Sequence, residues 1–296
     1  MSARSFHTAW IDRDGGRGCR GERDALFPWW SFTKTVIALC ALRLAEDGRV
    51  DLDEPVAGRL YTLRLLLQHR AGVPDYGRLA AYHEAVGRGE DAWSRERLLE
   101  AVRPDEPLFA PGTGWAYSNV GYLLARDLLE ERAGCGFSTL VADLVSRPLG
   151  LDSVRLATRR AEFAALHWPA AKHYDPAWVS HGCLIGTASD AATLLHEALA
   201  GDFLDPRTRA TMLATHALGD GVPGRPWTRH GYALGLMRGT MAGAGEAIGH
   251  SGSGPFSVNA VYHFPDRAGP VTVACFADGA GEAAAEVEAA RLASVL

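Results

Sequence analysis

Ser31 and Lys34 stand three residues apart in WWSFTK, at the mouth of the unbroken apolar run TVIALCALRLA. On a helix, residues three apart are neighbours on one face, so the hydroxyl and the amine can meet. A serine in the first helical turn also holds its own N–H among the unpaired donors of the helix start, where the dipole favours negative charge by about 0.3–1 kcal/mol. Such a serine can attack a carbonyl and donate to the oxyanion that results. Its hydroxyl is a weak nucleophile until a base takes the proton, and a lysine amine can be that base once burial lowers its pKa from about 10.4. The apolar helix supplies the burial. A plainer reading makes Ser31 an N-cap and Lys34 a surface residue, and spacing alone does not separate the two.

Two further clusters carry chemistry-bearing residues. Tyr117, Ser118 and Asn119 immediately precede the helical stretch VGYLLARDLLEERAG, where Asn119 is itself a candidate N-cap. In GHSGSGPFSVNAVYHF, His250, Ser251 and Gly252 open a strand, with Ser253 and Gly254 following; taken alone this is a glycine-rich turn.

In this order, S-x-x-K at Ser31–Lys34, Y-x-N at Tyr117–Asn119 and H-x-G at His250–Gly252 resemble the motifs of the serine β-lactamase and penicillin-binding-protein superfamily, in its class C β-lactamase-like, DD-peptidase, D-aminopeptidase and esterase branch. The flanks AEDGRVDLDEPV, LRLLLQHRAGVPDY, PGTGWAYSN and GCLIGTASDAATLL agree, and the likeness runs from about Phe27 to Phe264. The resemblance implies an α+β (mixed α/β) fold of the β-lactamase/transpeptidase type: an antiparallel sheet from both chain ends, flanked by helices, beside an all-helical region. It implies one catalytic domain over 1–296, with 1–55 and 225–296 containing the sheet and 56–224 mainly helical. Carried over residue by residue, Ser31 is the nucleophile, Lys34 and Tyr117 share the proton transfers, and Asn119 bonds Lys34 or a substrate amide. His250, Ser251 and Gly252 line the opposite wall, and the N–H groups of Ser31 and Ser253 form the oxyanion hole. The implied partner is a small ester or amide, with no cofactor.

Departures from the family pattern narrow the expectation. Thirty residues precede Ser31, a short lead-in. His250 stands where many β-lactamases carry lysine, and an imidazole of pKa about 6.5 gains charge only as pH falls from 8 towards 6. A weak cation holds a substrate carboxylate weakly. An esterase, amidase or D-amino-peptide hydrolase is therefore expected ahead of a β-lactamase or DD-carboxypeptidase, and intact Ser31, Lys34 and Tyr117 count against a non-catalytic binding or regulatory relative.

The elements that must position these residues follow from periodicity. FHTAWID and GRGCRGE flank Gly15-Gly16 as a hairpin, and Thr35–Ala45 is apolar all round, a buried helix beginning near Ser31 and ending before Gly48. LRLLLQHRAG, SRERLLEAV, VGYLLARDLLEERAG and TASDAATLLHEALAG read as helices, three of them ending at Gly72, Gly134 and Gly201. YALGLM, FSVNAVYHF and VTVACFA read as neighbouring antiparallel strands, and GEAAAEVEAARLASVL as a closing helix.

Composition sets the outer limits. With 296 residues, 47% of them hydrophobic, the chain can bury a large core. Its 35 acidic and 30 basic residues are interspersed, net −5, with no basic block to follow a phosphate backbone, so nucleic acid is not a partner. No stretch approaches the ~20 apolar residues of a membrane span and none resembles a signal peptide, which predicts a cytoplasmic protein with no membrane partner. Five scattered cysteines read as reduced thiols. Gly219–Gly224 matches G-x-G-x-x-G without a strand before it or a helix after it, and His173, His181 and Cys183 fit no common zinc spacing; YDPAWVSHG instead resembles a family loop lining the site. Trp29 and Trp30 read as core or pocket wall.

Overall fold

In the computed structural model, which describes residues 5–266 and 269–296, an antiparallel sheet takes its strands from both chain ends. Its order is β2 (Arg17–Arg20), β1 (Phe6–Ile11), β11 (Val271–Asp278), β10 (Ser257–Phe264), β9 (Gly245–Ser253), β8 (Met237–Met241), β7 (Trp227–Tyr232) and β6 (His216–Asp220). A smaller sheet places β5 (Cys183–Gly186) between β3 (Phe27–Pro28) and β4 (Arg155–Ala157). The helices are α1 (Thr33–Glu46), α2 (Leu63–Leu67), α3 (Ala80–Gly87), α4 (Arg95–Val102), α5 (Asn119–Ala133), α6 (Phe137–Val141), α7 (Arg160–Ala164), α8 (Ala188–Leu199), α9 (Pro206–Met212) and the closing α10 (Ala283–Ala293). The α+β architecture is the one expected, with β4, β5 and β6 set within the mainly helical segment.

The expected hairpin is β1–β2, turned by Gly15 at φ 79° and by the Asp12 carboxylate, which accepts from Asp14 N and Gly16 N. Helix α1 is the central rod, buried from Thr33 to Leu42. Burying Val36, Ile37, Leu39, Leu42 and Leu44 contributes roughly 8–15 kcal/mol at ~1.5–3 kcal/mol per side chain. That exceeds the several kcal/mol needed to bury one amine, so α1 can carry Lys34 at 0% exposure. Side chains of β10 and β11 alternate between two covered faces. Val261, Ala274 and Phe276 pack on the α1 side, and Val258, Ala260, Val273 and Cys275 against α10.

Four local expectations are corrected. His250, Ser251 and Gly252 do not open a strand but lie near the end of β9, which runs from Gly245 to Ser253. YALGLM is not a strand but the corner between β7 and β8, where Gly235 (φ 68°) lies so close to α1 that a Cβ would sit 2.7 Å from Lys34 O. Its carbonyl accepts from Thr35 Oγ1 at 2.7 Å. The helix expected to run to Gly72 stops at Leu67, because His69 turns to φ 58° and buries its ring 4.3 Å from that of Tyr117. Asn119 is not the cap of α5: Ser118 is, its Oγ accepting from Gly121 N at 2.9 Å, which leaves the Asn119 side chain available. Among the described residues, no helix is long and apolar enough to cross a membrane, and the five cysteines are unpaired.

Candidate active site

The chain passes from β3 into α1 through a 3-10 turn, Trp30–Phe32. Trp30 adopts φ 43°, a left-handed conformation that a bulky side chain holds only when its surroundings over-determine it. Here the indole N–H donates to Ser257 Oγ at 3.0 Å. Gly252 and Gly254 leave the room: a Cβ on them would lie 2.8 Å from Trp30 Cβ and 2.3 Å from Trp30 Cζ2. Gly252 of the third motif and Gly254 just beyond β9 thus let this segment press against the Ser31 turn.

Ser31 Oγ lies 3.1 Å from Lys34 Nζ and 2.9 Å from the Tyr117 hydroxyl. Nζ also donates to Asn119 Oδ1 at 2.8 Å and lies 3.1 Å from His181 Nε2. Asp75 orients the Asn119 amide, accepting from its Nδ2 at 3.1 Å and from its backbone N at 2.7 Å, so that the carbonyl end faces Lys34. The first two sequence motifs therefore meet at Ser31 Oγ and Lys34 Nζ, and the third borders the same cavity. Burial pushes Lys34 down to about 7, against smaller opposing effects of Asp75 and Cys183. Burial drives Tyr117 the other way, well above the usual phenol range.

The third motif differs from expectation at two residues. His250 is buried, its Nδ1 lies 2.5 Å from Ser251 O and its Nε2 2.9 Å from the Tyr232 hydroxyl. A carbonyl only accepts, so Nδ1 carries the proton and Nε2 accepts from Tyr232. Desolvation, followed by the charge of Lys34, lowers His250 to about 3. It therefore stays neutral between pH 8 and 6, and the expectation of a titrating cation is corrected. Ser251 gives its hydroxyl proton to Glu286 Oε1 (2.5 Å) and lies 2.6 Å from the Tyr262 hydroxyl, on the α10 side of the sheet, so no hydrogen of its side chain is left for a ligand. Glu286, fully buried, also binds Arg225 through both carboxylate oxygens and accepts from Trp227 Nε1 at 3.1 Å.

Strand β9 outruns its neighbour. Pairing with β8 ends at Met237 opposite Gly249, which leaves His250–Ser253 without a β8 partner. Gly254 N donates to Ser257 O at 3.0 Å, towards β10; strand alternation turns the Ser253 N–H to the opposite, open edge.

A cavity of about 690 Å³ is lined by Ser31, Tyr117, Asn119, His181, His250, Ser251 and Ser253, so Ser251 borders it as expected although its hydroxyl is bound to Glu286. Trp30, Tyr76, Tyr82, Trp115 and Tyr174 make its wall aromatic, while Trp29 is core. Among the described lining residues the one arginine or lysine is Arg225, which Glu286 holds. Among the described residues no group of three His, Cys, Asp or Glu is arranged to hold a metal ion. Sequence reasoning missed Asp75, His69, Tyr232 and Glu286; it set His181 aside as a metal ligand and placed it, within YDPAWVSHG, in a loop lining the site, without a role of its own. Asp75 lay within the quoted segment VPDY, but nothing in its spacing pointed to Asn119.

The chain is 33% identical to the esterase EstB of Burkholderia gladioli over 168 residues, 47% of this chain and 40% of that protein. It is 27% identical to penicillin-binding protein 4* of Bacillus subtilis (strain 168) over 154 residues, 46% of this chain and 32% of the relative. The matches thus span less than half the length of these curated relatives. The solved D-stereospecific amidohydrolase from Streptomyces sp. superposes with a TM-score of 0.78 at 27% identity, covering 96% of this chain and 92% of that one. That fold carries the sheet and helices described above, and the Beta-lactamase family matches residues 3–296; the chain belongs to the Beta-lactamase family.

Proposed function

We propose that this protein is a serine hydrolase that acts on small esters or amides through an acyl-enzyme on Ser31, its sheet-containing and helical parts working as one catalytic unit. The observation that carries the reading is the position of Ser31 Oγ between a buried lysine amine and a tyrosine hydroxyl, at 3.1 and 2.9 Å. With its pKa near 7, Lys34 is partly unprotonated at neutral pH and serves as the base, while Tyr117 keeps its proton. Lys34 takes the Ser31 proton as Oγ attacks the carbonyl carbon. The N–H groups of Ser31 and Ser253 receive the oxyanion, where one such donor is typically worth ~10²–10³ in rate. Tyr117 donates to the leaving atom, the Lys34 ammonium being the source of that proton. Water then enters by the reverse route and releases the acid.

The names of the esterase and the amidohydrolase among its relatives support an ester or amide carbonyl as the target. The aromatic wall favours an apolar acyl group. A neutral His250 and an Arg225 held by Glu286 offer little to a substrate carboxylate, which counts against β-lactams and peptides ending in a free carboxylate.

A fluorophosphonate probe should add once to the intact protein, as read by mass spectrometry, and not at all to Ser31→Ala. An adduct that survives the substitution sinks the assignment. A hydrolysis screen of p-nitrophenyl esters, D-amino-acid anilides and nitrocefin ranks the substrate classes. For His250, the ratio of kcat/KM between a carboxylate-bearing ester and its neutral analogue should stay flat from pH 8 to 6, because a base with its pKa near 3 is uncharged throughout. The titration of Lys34 cancels in that ratio. A tenfold change across the window would show that His250 does gain a proton there.

A further inference from the structure

Lys34 Nζ has a third neighbour that the scheme above does not use. His181, on the turn leading into β5, is 2% exposed, sets Nε2 3.1 Å from Nζ, and has its buried Nδ1 without a hydrogen-bond partner among the described residues. A neutral amine carries two hydrogens and one lone pair, directed to the corners of a tetrahedron. Asn119 Oδ1 takes one hydrogen, since Asp75 holds the other end of that amide. If the second hydrogen pointed to Ser31 Oγ, the lone pair would face away from the proton it must accept. An imidazole with its proton on Nδ1 presents Nε2 as an acceptor, takes that second hydrogen, and leaves the lone pair aimed at Ser31. Once the proton has moved, the three hydrogens of the ammonium meet three acceptors, Ser31 Oγ, Asn119 Oδ1 and His181 Nε2.

We propose that His181 is a positioning residue for acyl transfer: as a neutral acceptor it directs the Lys34 lone pair at the Ser31 hydroxyl and completes the hydrogen bonding of the ammonium that forms. The inference rests on the reading of Lys34 as the base. Burial first, and then the charges of Lys34 and Arg126, hold His181 neutral. Of the other groups around Lys34, Asp75 and Cys183 act to raise its pKa. Tyr117 and Tyr122 turn their ring faces to it at 4.9 and 5.6 Å, and burial keeps His69 and His250 uncharged.

The test is the pH profile of kcat/KM on p-nitrophenyl butyrate, whose leaving group needs no proton, for the wild type, His181→Phe and His181→Gln. The wild-type profile should rise through pH about 7 as Lys34 loses its proton. His181→Phe should lower the plateau by about 10- to 100-fold, part of what a general base contributes. Loss of one acceptor for the ammonium should also move the limb down by about one pH unit. The carboxamide oxygen of His181→Gln should restore both. A purely structural role would reduce the yield of folded enzyme and leave the limb in place. His181→Leu carries the same test where His181→Phe does not fold. A limb and plateau unchanged in the apolar variant, with Ser31 still labelled by the fluorophosphonate, overturn the role of His181 alone. A wild-type limb that persists in Lys34→Met overturns the reading of Lys34, and His181 falls with it.

Discussion

Replacing Lys34 with methionine should lower kcat/KM on a p-nitrophenyl ester by ~10²–10⁴-fold, the range of a general base. Tyr117→Phe should lose at least ~10²-fold on an anilide, whose leaving amine needs a proton, and less on the p-nitrophenyl ester. Both groups contact the same oxygen, Ser31 Oγ, at 3.1 and 2.9 Å, and Lys34 lies over the Tyr117 ring at 4.9 Å. Residues that act as a unit are not additive, so the double variant should lose far less than the product of the single losses. The sign of the pH dependence follows from the direction of the shift. Burial depresses Lys34 to about 7, so its basic form exists above that pH and is lost below it. The residual activity of Lys34→Met should show no limb there. Fully multiplicative losses would mean that the two residues work independently.

The second large effect lies beneath the site, where Glu286 is 0% exposed and holds Arg225, Ser251 and Trp227. Removing one partner of a buried ion pair typically costs about 3–5 kcal/mol, because the other charge is left uncompensated. Glu286→Leu should therefore lower Tm by roughly 6–10 °C, at about 2 °C per kcal/mol for a chain of this size. Replacing both partners with apolar residues is often near neutral. Arg225→Met with Glu286→Leu should accordingly be more stable than Glu286→Leu alone, as read by calorimetry. Equal melting temperatures for the single and double variants would show that the stranded arginine is not the source of the loss. Because Ser251 sits on the same strand as the open edge at Ser253, Glu286→Leu should also weaken kcat more than KM.

The legible part of this protein is the part written in short spacings. S-x-x-K, Y-x-N and H-x-G are each contiguous, and each lies at the start of a helix or on one strand, where local geometry presents the residues together. Helix α1 was readable because its apolar residues lie all round, and α5 because its helical stretch ends at Gly134, although its cap is Ser118 and not the Asn119 that the sequence offered. Where a distant element decided the outcome, local pattern failed. LRLLLQHRAG has helical periodicity, yet His69 leaves the helix to pack under Tyr117, and YALGLM has strand propensity, yet Gly235 bends to meet α1.

By itself, the sequence determined the family likeness and, through it, the candidate nucleophile Ser31, the pair Lys34 and Tyr117 without saying which is the base, and the expectation of one sheet from both chain ends, since residue type, spacing and order are one-dimensional properties. Only the tertiary structure decided what each group is at neutral pH. Lys34 and His250 are the same kind of residue anywhere in a chain; full burial makes one a usable base near 7 and holds the other neutral down to about 3. Ser251 belongs to the third motif by spacing, but the two-residue alternation of β9 turns its hydroxyl to Glu286, 35 residues later in the chain. His181 reaches Lys34 across 147 residues. Protonation state and direction depend on which groups are brought within a few ångströms and how much water is removed, and no local pattern encodes either.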